Sequence, residues 1–209
     1  MSELLDIYDE NGKYIGTEDR NIVHQNGLWH KTIHCWVMTD KDHILFQKRS
    51  SNLLDNPNKL YTTASGHIKA GENLHDAFSR EVSEELGVSV LKPQKLFEHI
   101  FKTDFIKKNG MPYHDRVFCN VFFAFCDLPL EKYHPQEEEL DGLAKVNIHD
   151  ALKLFKGEVA DIPSTLYVKE NGKYVLRDKE LSASDFLCNP NETLYTKYGS
   201  VFDEILKKI

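Results

Sequence analysis

Residues 66–88 read GHIKAGENLHDAFSREVSEELGV, and the fold turns on how that stretch is read. Leu74, Ala77, Phe78, Val82 and Leu86 recur at helical spacing, so one stripe can face a core. Asn73 is a candidate N-cap and Gly87 a candidate stop. Glu81, Glu84 and Glu85 then stand at i, i+3 and i+4, within an arc of roughly 100°. Like charges so placed disfavour a helix by a few tenths of a kcal/mol per pair. A divalent cation would offset the repulsion. Mg²⁺ and Mn²⁺ prefer oxygen ligands and bridge carboxylates to substrate phosphates. Gly66 and Gly71 bound a loop in front of the helix and allow close approach of a ligand to the backbone. The competing reading of such a cluster is a solvated acidic helix face.

The full spacing separates the two. Gly, five residues, Glu, seven residues, Arg-Glu-aliphatic, one residue, Glu-Glu, one residue, Gly-aliphatic constrains nine positions over 23 residues, and this stretch matches throughout. The chain therefore resembles the Nudix superfamily of diphosphate hydrolases. The resemblance implies a Nudix-type α/β/α sandwich. It implies that Glu81, Glu84, Glu85 and the backbone oxygen of Gly66 hold metal, with Glu84 or Glu85 also a candidate base. Arg80 would orient the glutamates, and Glu72 would close the loop as a structural ion-pair partner. Some members draw the base from a distant loop, which here would be Glu138 or Glu139.

Composition sets the outer bounds. At 209 residues, one elaborated domain is expected, and a 41% apolar share suffices for its core. A net charge of -7 argues against broad binding to nucleic-acid polymers but leaves small anionic substrates open. The first residues carry no signal-like apolar core, and no run approaches the ~18 apolar residues of a membrane span. Cys35, Cys119, Cys126 and Cys188 form no CxxC pair. Reduced thiols in a cytoplasmic protein are the expectation.

Along the chain, residues 4–18 read as a hairpin around Asn11-Gly12. Residues 20–31 hold His24 and His30 around a Gly-containing bend, where two histidines are usually structural or exposed. Residues 32–38 and 43–48 are strand-like, and Lys48-Arg49 ends the second as a candidate phosphate-binding pair or a solvated strand end. Residues 55–58 read as loop, and 60–64 as a short strand entering the box. Beyond it, residues 88–105, broken by Pro93, pair through a turn at 107–113 with the apolar run 116–126, a central strand. An acidic loop over 129–142, a strand over 143–148 and a helix ending at Gly157 follow. Strands with a helix between them indicate a mixed α/β (α+β) sandwich with a mixed central sheet. Residues 1–157 are thus the Nudix-like domain. Residues 158–209 are a C-terminal extension packed on it, with a hairpin at Asn171-Gly172, a loop at 189–191 and a terminal helix from Ser200. Packing, substrate covering and homodimerisation are the roles open to it.

A narrower resemblance covers residues 4–157 loosely. VHQNGLWHKTIHCWV, LFQKRS, YTTASGHIKAGE and EEELDGL are similar to the isopentenyl-diphosphate isomerase branch of Nudix proteins and its hydrolase relatives. The isomerases carry a catalytic cysteine before Gly-His, where this chain has Ser65. Their three metal-binding histidines correspond to His24, His30 and His67, but the later E-N-E pair has no counterpart in Tyr113-His114-Asp115-Arg116-Val117. A serine hydroxyl without an activating base is too weak an acid to replace the thiol. An intact box behind a serine favours hydrolysis of a small organic diphosphate, nucleoside or prenyl, over allylic isomerisation or a non-catalytic sensing role.

Overall fold

The computed structural model describes residues 3–53, 56–90, 92–106, 110–189 and 192–209. Asp55, Leu91, Lys107 and Pro190, which fall in runs assigned above to loop, strand or turn, lie outside the described residues, as do their masked neighbours. The first hairpin forms as expected, from β1 (Leu4–Tyr8) and β2 (Tyr14–Asp19). Asp9 closes its turn by accepting from the Asn11 and Lys13 amides.

Residues 20–31 depart from the expected bend. Asp19 caps a short helix, α1 (Arg20–Asn26), by accepting from the Asn21 amide, and Gly27 ends it at φ 63°. The helix carries His24 inward and delivers His30 onto β3 (Trp29–Met38), so both histidines are buried rather than exposed. β4 (His43–Arg49) follows. The expected strand over 60–64 is two, β5 (Leu60–Tyr61) and β6 (Ala64–His67), so His67 is a strand residue and not a loop residue.

β6 runs antiparallel to β3, pairing Ile33 with Gly66 and His34 with Ser65. The helix α2 (Leu74–Leu86) has both expected ends: the Asn73 side chain accepts from the His75 and Asp76 amides, and Gly87 closes it at φ 65°. β7 (Gln94–Ile106), starting after Pro93, forms an antiparallel pair with β8 (Pro112–Phe125), and β8 runs parallel to β3 over ten residue pairs. β8 is buried from Val117 to Ala124, as a central strand must be.

β9 (Leu140–Asn147) leads into α3 (Ile148–Phe155), capped by Asn147, and then β10 (Asp161–Glu170) and β11 (Lys173–Ser182). β10 pairs with β9, so the C-terminal hairpin extends the same sheet. Among the described residues the sheet has 11 strands, with β3 and β8 its parallel pair. A final helix, α4 (Ser200–Leu206), continues from a wider turn over Tyr195–Gly199.

The two-residue period of β3 and β8 sorts their side chains between two cores. Ile33, Cys35, Val37 and Phe122 face α2, with Phe78, Val82 and Leu86. Trp36, Met38, Cys119 and Phe123 face α3 and α4, with Phe155, Tyr198 and Phe202. Trp36 meets Phe46, Tyr198 and Phe202 edge-on, at 5.2–5.9 Å between ring centroids. Phe202 is fully buried, so the last helix closes the second core. Phe202→Ala is expected to lower stability by about 3–5 kcal/mol, read as a shift in the urea midpoint at unchanged slope. A loss under 1 kcal/mol would mean that this helix is not integral to the core.

Candidate active site

The helix α2 turns Glu81 and Glu85 inward and leaves Glu84 half-exposed. Arg80 organises them. Its Nε donates to Glu72 Oε1 at 2.7 Å and its Nη2 to Glu72 Oε2 at 2.9 Å, a bidentate clamp across the loop. Its Nη1 donates to Glu81 Oε1 at 2.6 Å and Glu84 Oε2 at 3.1 Å, and its Nη2 also to the His67 carbonyl at 2.9 Å. Glu72 additionally accepts from the Lys69 amide, and these bonds hold its carboxyl below the usual carboxylate range against the opposing effect of burial. Gly66 lies directly over Glu81: an added Cβ would collide with that carboxylate.

Glu85 is not so compensated. It is 4% exposed, and among the described residues its Oε1 receives only the Ser65 amide, at 3.4 Å. Its Oε2 is buried with no hydrogen-bond partner among the described residues. Burial, and then the charges of Glu81 and Glu139, push its pKa well up. Burial likewise raises Glu81 in spite of Arg80. Adjacent buried carboxylates with a spare oxygen fit a hard divalent cation, which would supply the missing partner.

A second constellation lies on the other face of β6. His24, His30 and His67 bring ring nitrogens within 4.8 Å of one another. The Nδ1 of His24 donates to the Arg20 carbonyl at 2.7 Å, and that of His30 to the Leu28 carbonyl at 3.0 Å. Carbonyls only accept, so each Nε2 carries its lone pair toward the cluster. Asp115 Oδ1 stands 3.6 Å from His24 Nε2 and 3.4 Å from His30 Nε2. His30 Nε2 and Asp115 Oδ1 are both buried without a hydrogen bond among the described residues. Burial raises Asp115 to about 6 and lowers His30 and His67. His67 Nε2 and His24 Nε2 lie 3.2 Å apart, within hydrogen-bond distance. Outer carbonyls that fix the tautomer of His24 and His30, and ring nitrogens gathered around Asp115, fit a metal ion held by nitrogen and one carboxylate.

Asp115 is the residue that the sequence pattern conceals. The isomerase-like pattern calls for paired carboxylates, whereas β8 supplies a single one. Its signal was strand alternation, which places Asp115 on the same face as Val117 and Cys119. The basic pair is divided in use. Lys48 Nζ donates to Asn58 at 3.0 Å and lies 3.8 Å from Asp141, while Arg49 Nε donates to the Asn56 carbonyl at 3.2 Å and its charge partly opposes the rise at Glu85. Glu139 also acts on Glu85, while Glu138 is exposed on the acidic loop.

Residues 28–166 match the NUDIX domain family. The chain belongs to the Nudix family. It is 35% identical over 191 residues to an uncharacterized Nudix hydrolase of Clostridium acetobutylicum, covering 88% of this chain and 90% of that one. It is also 28% identical over 123 residues to an isopentenyl-diphosphate Delta-isomerase of Photorhabdus laumondii, covering 58% of this chain and 68% of that one. The solved structure of DR0079 from Deinococcus radiodurans superposes with a TM-score of 0.54 at 19% identity, covering 74% of this chain and 90% of that one, a likeness of fold. The chain is thus a Nudix hydrolase homologue, more similar to the hydrolase than to the isomerase. Nudix hydrolases generally use divalent metal ions and act on small molecules. Among the described residues no helix is long and apolar enough to cross a membrane.

The collision at Gly66 gives a test of the glutamate geometry. Gly66→Ala is expected to displace Glu81 and lower turnover about 10²-fold while the protein still melts cooperatively. Turnover within about threefold of the parent would show that Glu81 can move without consequence.

Proposed function

We propose that the chain hydrolyses the diphosphate linkage of a small organic diphosphate, a nucleoside diphosphate or related compound, with Mg²⁺ or Mn²⁺. The observation that carries this is the uncompensated carboxylate of Glu85, buried beside Glu81 and bonded to the backbone of Ser65. Glu81, Glu84, Glu85 and the Gly66 carbonyl are the candidate metal ligands. A cation held there would neutralise the diphosphate and lower the pKa of water. In the reaction, water oxygen bonds to one phosphorus, the bridging P–O bond breaks, and the water proton passes to a carboxylate oxygen of Glu85 or Glu84. Arg80 keeps Glu81 and Glu84 in place, so its role is positioning. Lys48, held by Asn58 near Asp141, and Arg49, whose Nε donates to the Asn56 carbonyl, are candidate phosphate contacts.

The histidine site favours a second reading, isomerisation of isopentenyl diphosphate, since it corresponds to the metal site of the isomerase branch. Ser65 opposes it. Its hydroxyl stands where the isomerase resemblance requires a thiol, and Asp115 is one carboxylate where that pattern has two. A purely sensing role would leave the box carboxylates without a function.

Phosphate release measured over nucleoside, sugar-nucleotide and prenyl diphosphates is expected to find turnover that chelation abolishes and Mg²⁺ or Mn²⁺ restores. Glu85→Gln should cost about 10²–10⁴-fold in kcat. Absence of turnover on every class, or full activity of the variant, would defeat the proposal; conversion of isopentenyl to dimethylallyl diphosphate would establish the second reading.

A further inference from the structure

A cavity of about 510 Å³ opens on the α3/α4 side of the sheet, between the β7–β8 hairpin and the C-terminal segment 189–201. Its size falls within the roughly 300–1,000 Å³ of small-molecule sites. None of the described residues that line it belongs to the glutamate cluster. His34, on its floor, alternates along β3 with Ile33 and Cys35, which face α2. The sheet therefore stands between the cavity and the box helix, and the lining of the cavity alone selects what fills it.

One cation is set into that lining. Lys197 is 14% exposed, with its ammonium 5.5 Å from the centre of the Tyr61 ring and 5.8 Å from that of Tyr198. Among the described residues one carboxylate lies within 4 Å of it, Glu192 at 3.5 Å. The same Glu192 Oε2 accepts from the Asn189 side chain at 2.8 Å, so Lys197 shares its counter-charge. An ammonium has three N–H donors, which this arrangement does not exhaust. Burial lowers the pKa of Lys197, the direction expected of a cation short of partners.

The rest of the lining limits an incoming anion to one charge. His34 Nε2 lies 3.2 Å from the Tyr61 hydroxyl, and burial lowers its pKa to about 4, so that ring is neutral near pH 7. Lys102 is held over the Trp29 ring, 5.2 Å from its centre. Glu192 and Asp104 also line the cavity and would repel a multiply charged phosphate. The wall opposite Lys197 is aromatic. Phe97, His99 and Phe101 project from one face of β7, and the His99 and Phe101 rings are near-parallel, at 29°. Ring faces on one side and a single under-paired ammonium on the other suit a flat aromatic body carrying one negative group.

We propose that this cavity binds an aromatic monocarboxylate, with the carboxylate on Lys197 and the ring against Phe97, His99 and Phe101. The site is separate from the glutamates and independent of the hydrolase reading. It gives the C-terminal segment a ligand of its own. Two hydrogen bonds anchor that segment for the task. The Leu187 amide donates to the Leu60 carbonyl at 2.9 Å, and the Tyr198 hydroxyl to the Leu187 carbonyl at 2.6 Å.

The test is calorimetric titration of the full chain with benzoate, naphthoate and indole acetate, against naphthamide, octanoate and inorganic pyrophosphate. At least one aromatic carboxylate should bind about tenfold or more tightly than naphthamide and octanoate. Saturating pyrophosphate with Mg²⁺ should change that affinity by less than about twofold. Lys197→Met should bring the carboxylate down to the level of the amide. Ser200→Trp, at an exposed position of α4 that lines the cavity, should weaken every aromatic ligand about tenfold and guards against a folding defect in the first variant. Thermal melts check both. No binding of any aromatic carboxylate at about 1 mM, equal affinity for the amide, preference for octanoate, displacement by pyrophosphate, or affinity untouched in both variants would overturn the proposal. Binding is read without turnover, so failure of phosphate release in the separate assay would refute the hydrolase reading alone.

Discussion

The guanidinium of Arg80 is the point on which the site depends. Its N–H groups are divided among Glu72, Glu81, Glu84 and the His67 carbonyl. Those partners come from the loop, the helix and β6. Without that cation, Glu81 would be left as a largely buried anion and Glu72 with Lys69 as a weaker counter-charge, at a cost of about 3–5 kcal/mol for a broken buried pair. A lysine would carry the charge but not the planar fork that reaches so many acceptors at once. The ion-pair network is therefore also the joint between loop, helix and sheet.

That joint leaves a residue of unfavourable energy at Glu85. Arg80 faces Glu72, Glu81 and Glu84, and Glu85, one helical turn beyond Glu81, is buried with an oxygen unpaired. A second such deficit occurs at His30 and Asp115 across β6. Buried polar atoms are ordinarily satisfied, and exceptions gather where a ligand completes the structure. Thr32, Trp36 and Tyr174 also hold a buried polar atom without a partner among the described residues, but these two deficits flank the same four-residue strand, whose alternation sends Gly66 to the glutamates and His67 to the histidines. Two kinds of donor set, oxygen-rich and nitrogen-rich, thus meet on opposite sides of one short element.

Much of this was legible in the chain. The box helix and both its caps, the hairpins at Asn11-Gly12 and Asn171-Gly172, and the central place of the apolar run, buried from Val117 to Ala124, follow from local pattern, and local pattern held. What escaped was either short or long-range. The helix α1 spans Arg20–Asn26, two turns without a sustained apolar period, and is fixed by its Asp19 cap and Gly27 stop. The isomerase resemblance already grouped His24, His30 and His67; the arrival of Asp115 beside them depends on pairing of β3 with β6 and β8, which no sequence spacing encodes. The exposed position of Glu84 beside the burial of Glu81 and Glu85 is likewise set by where β6 docks, since all three fall on one arc of the helix.

The hairpin of β7 and β8 carries one more consequence. Among the described residues β7 pairs on one side alone, and it runs for 13 residues with Ile100, Phe105 and Ile106 exposed. An open strand of that length is a template on which another chain could add itself. Lys95, Glu98, Lys102 and Asp104 punctuate it, and a register shift interrupts its ladder between Lys95 and Phe97. Charge and irregularity of this kind oppose the flat, regular approach that edge-to-edge aggregation needs. The outer strand of that hairpin is thereby built to remain a free edge in a crowded solution.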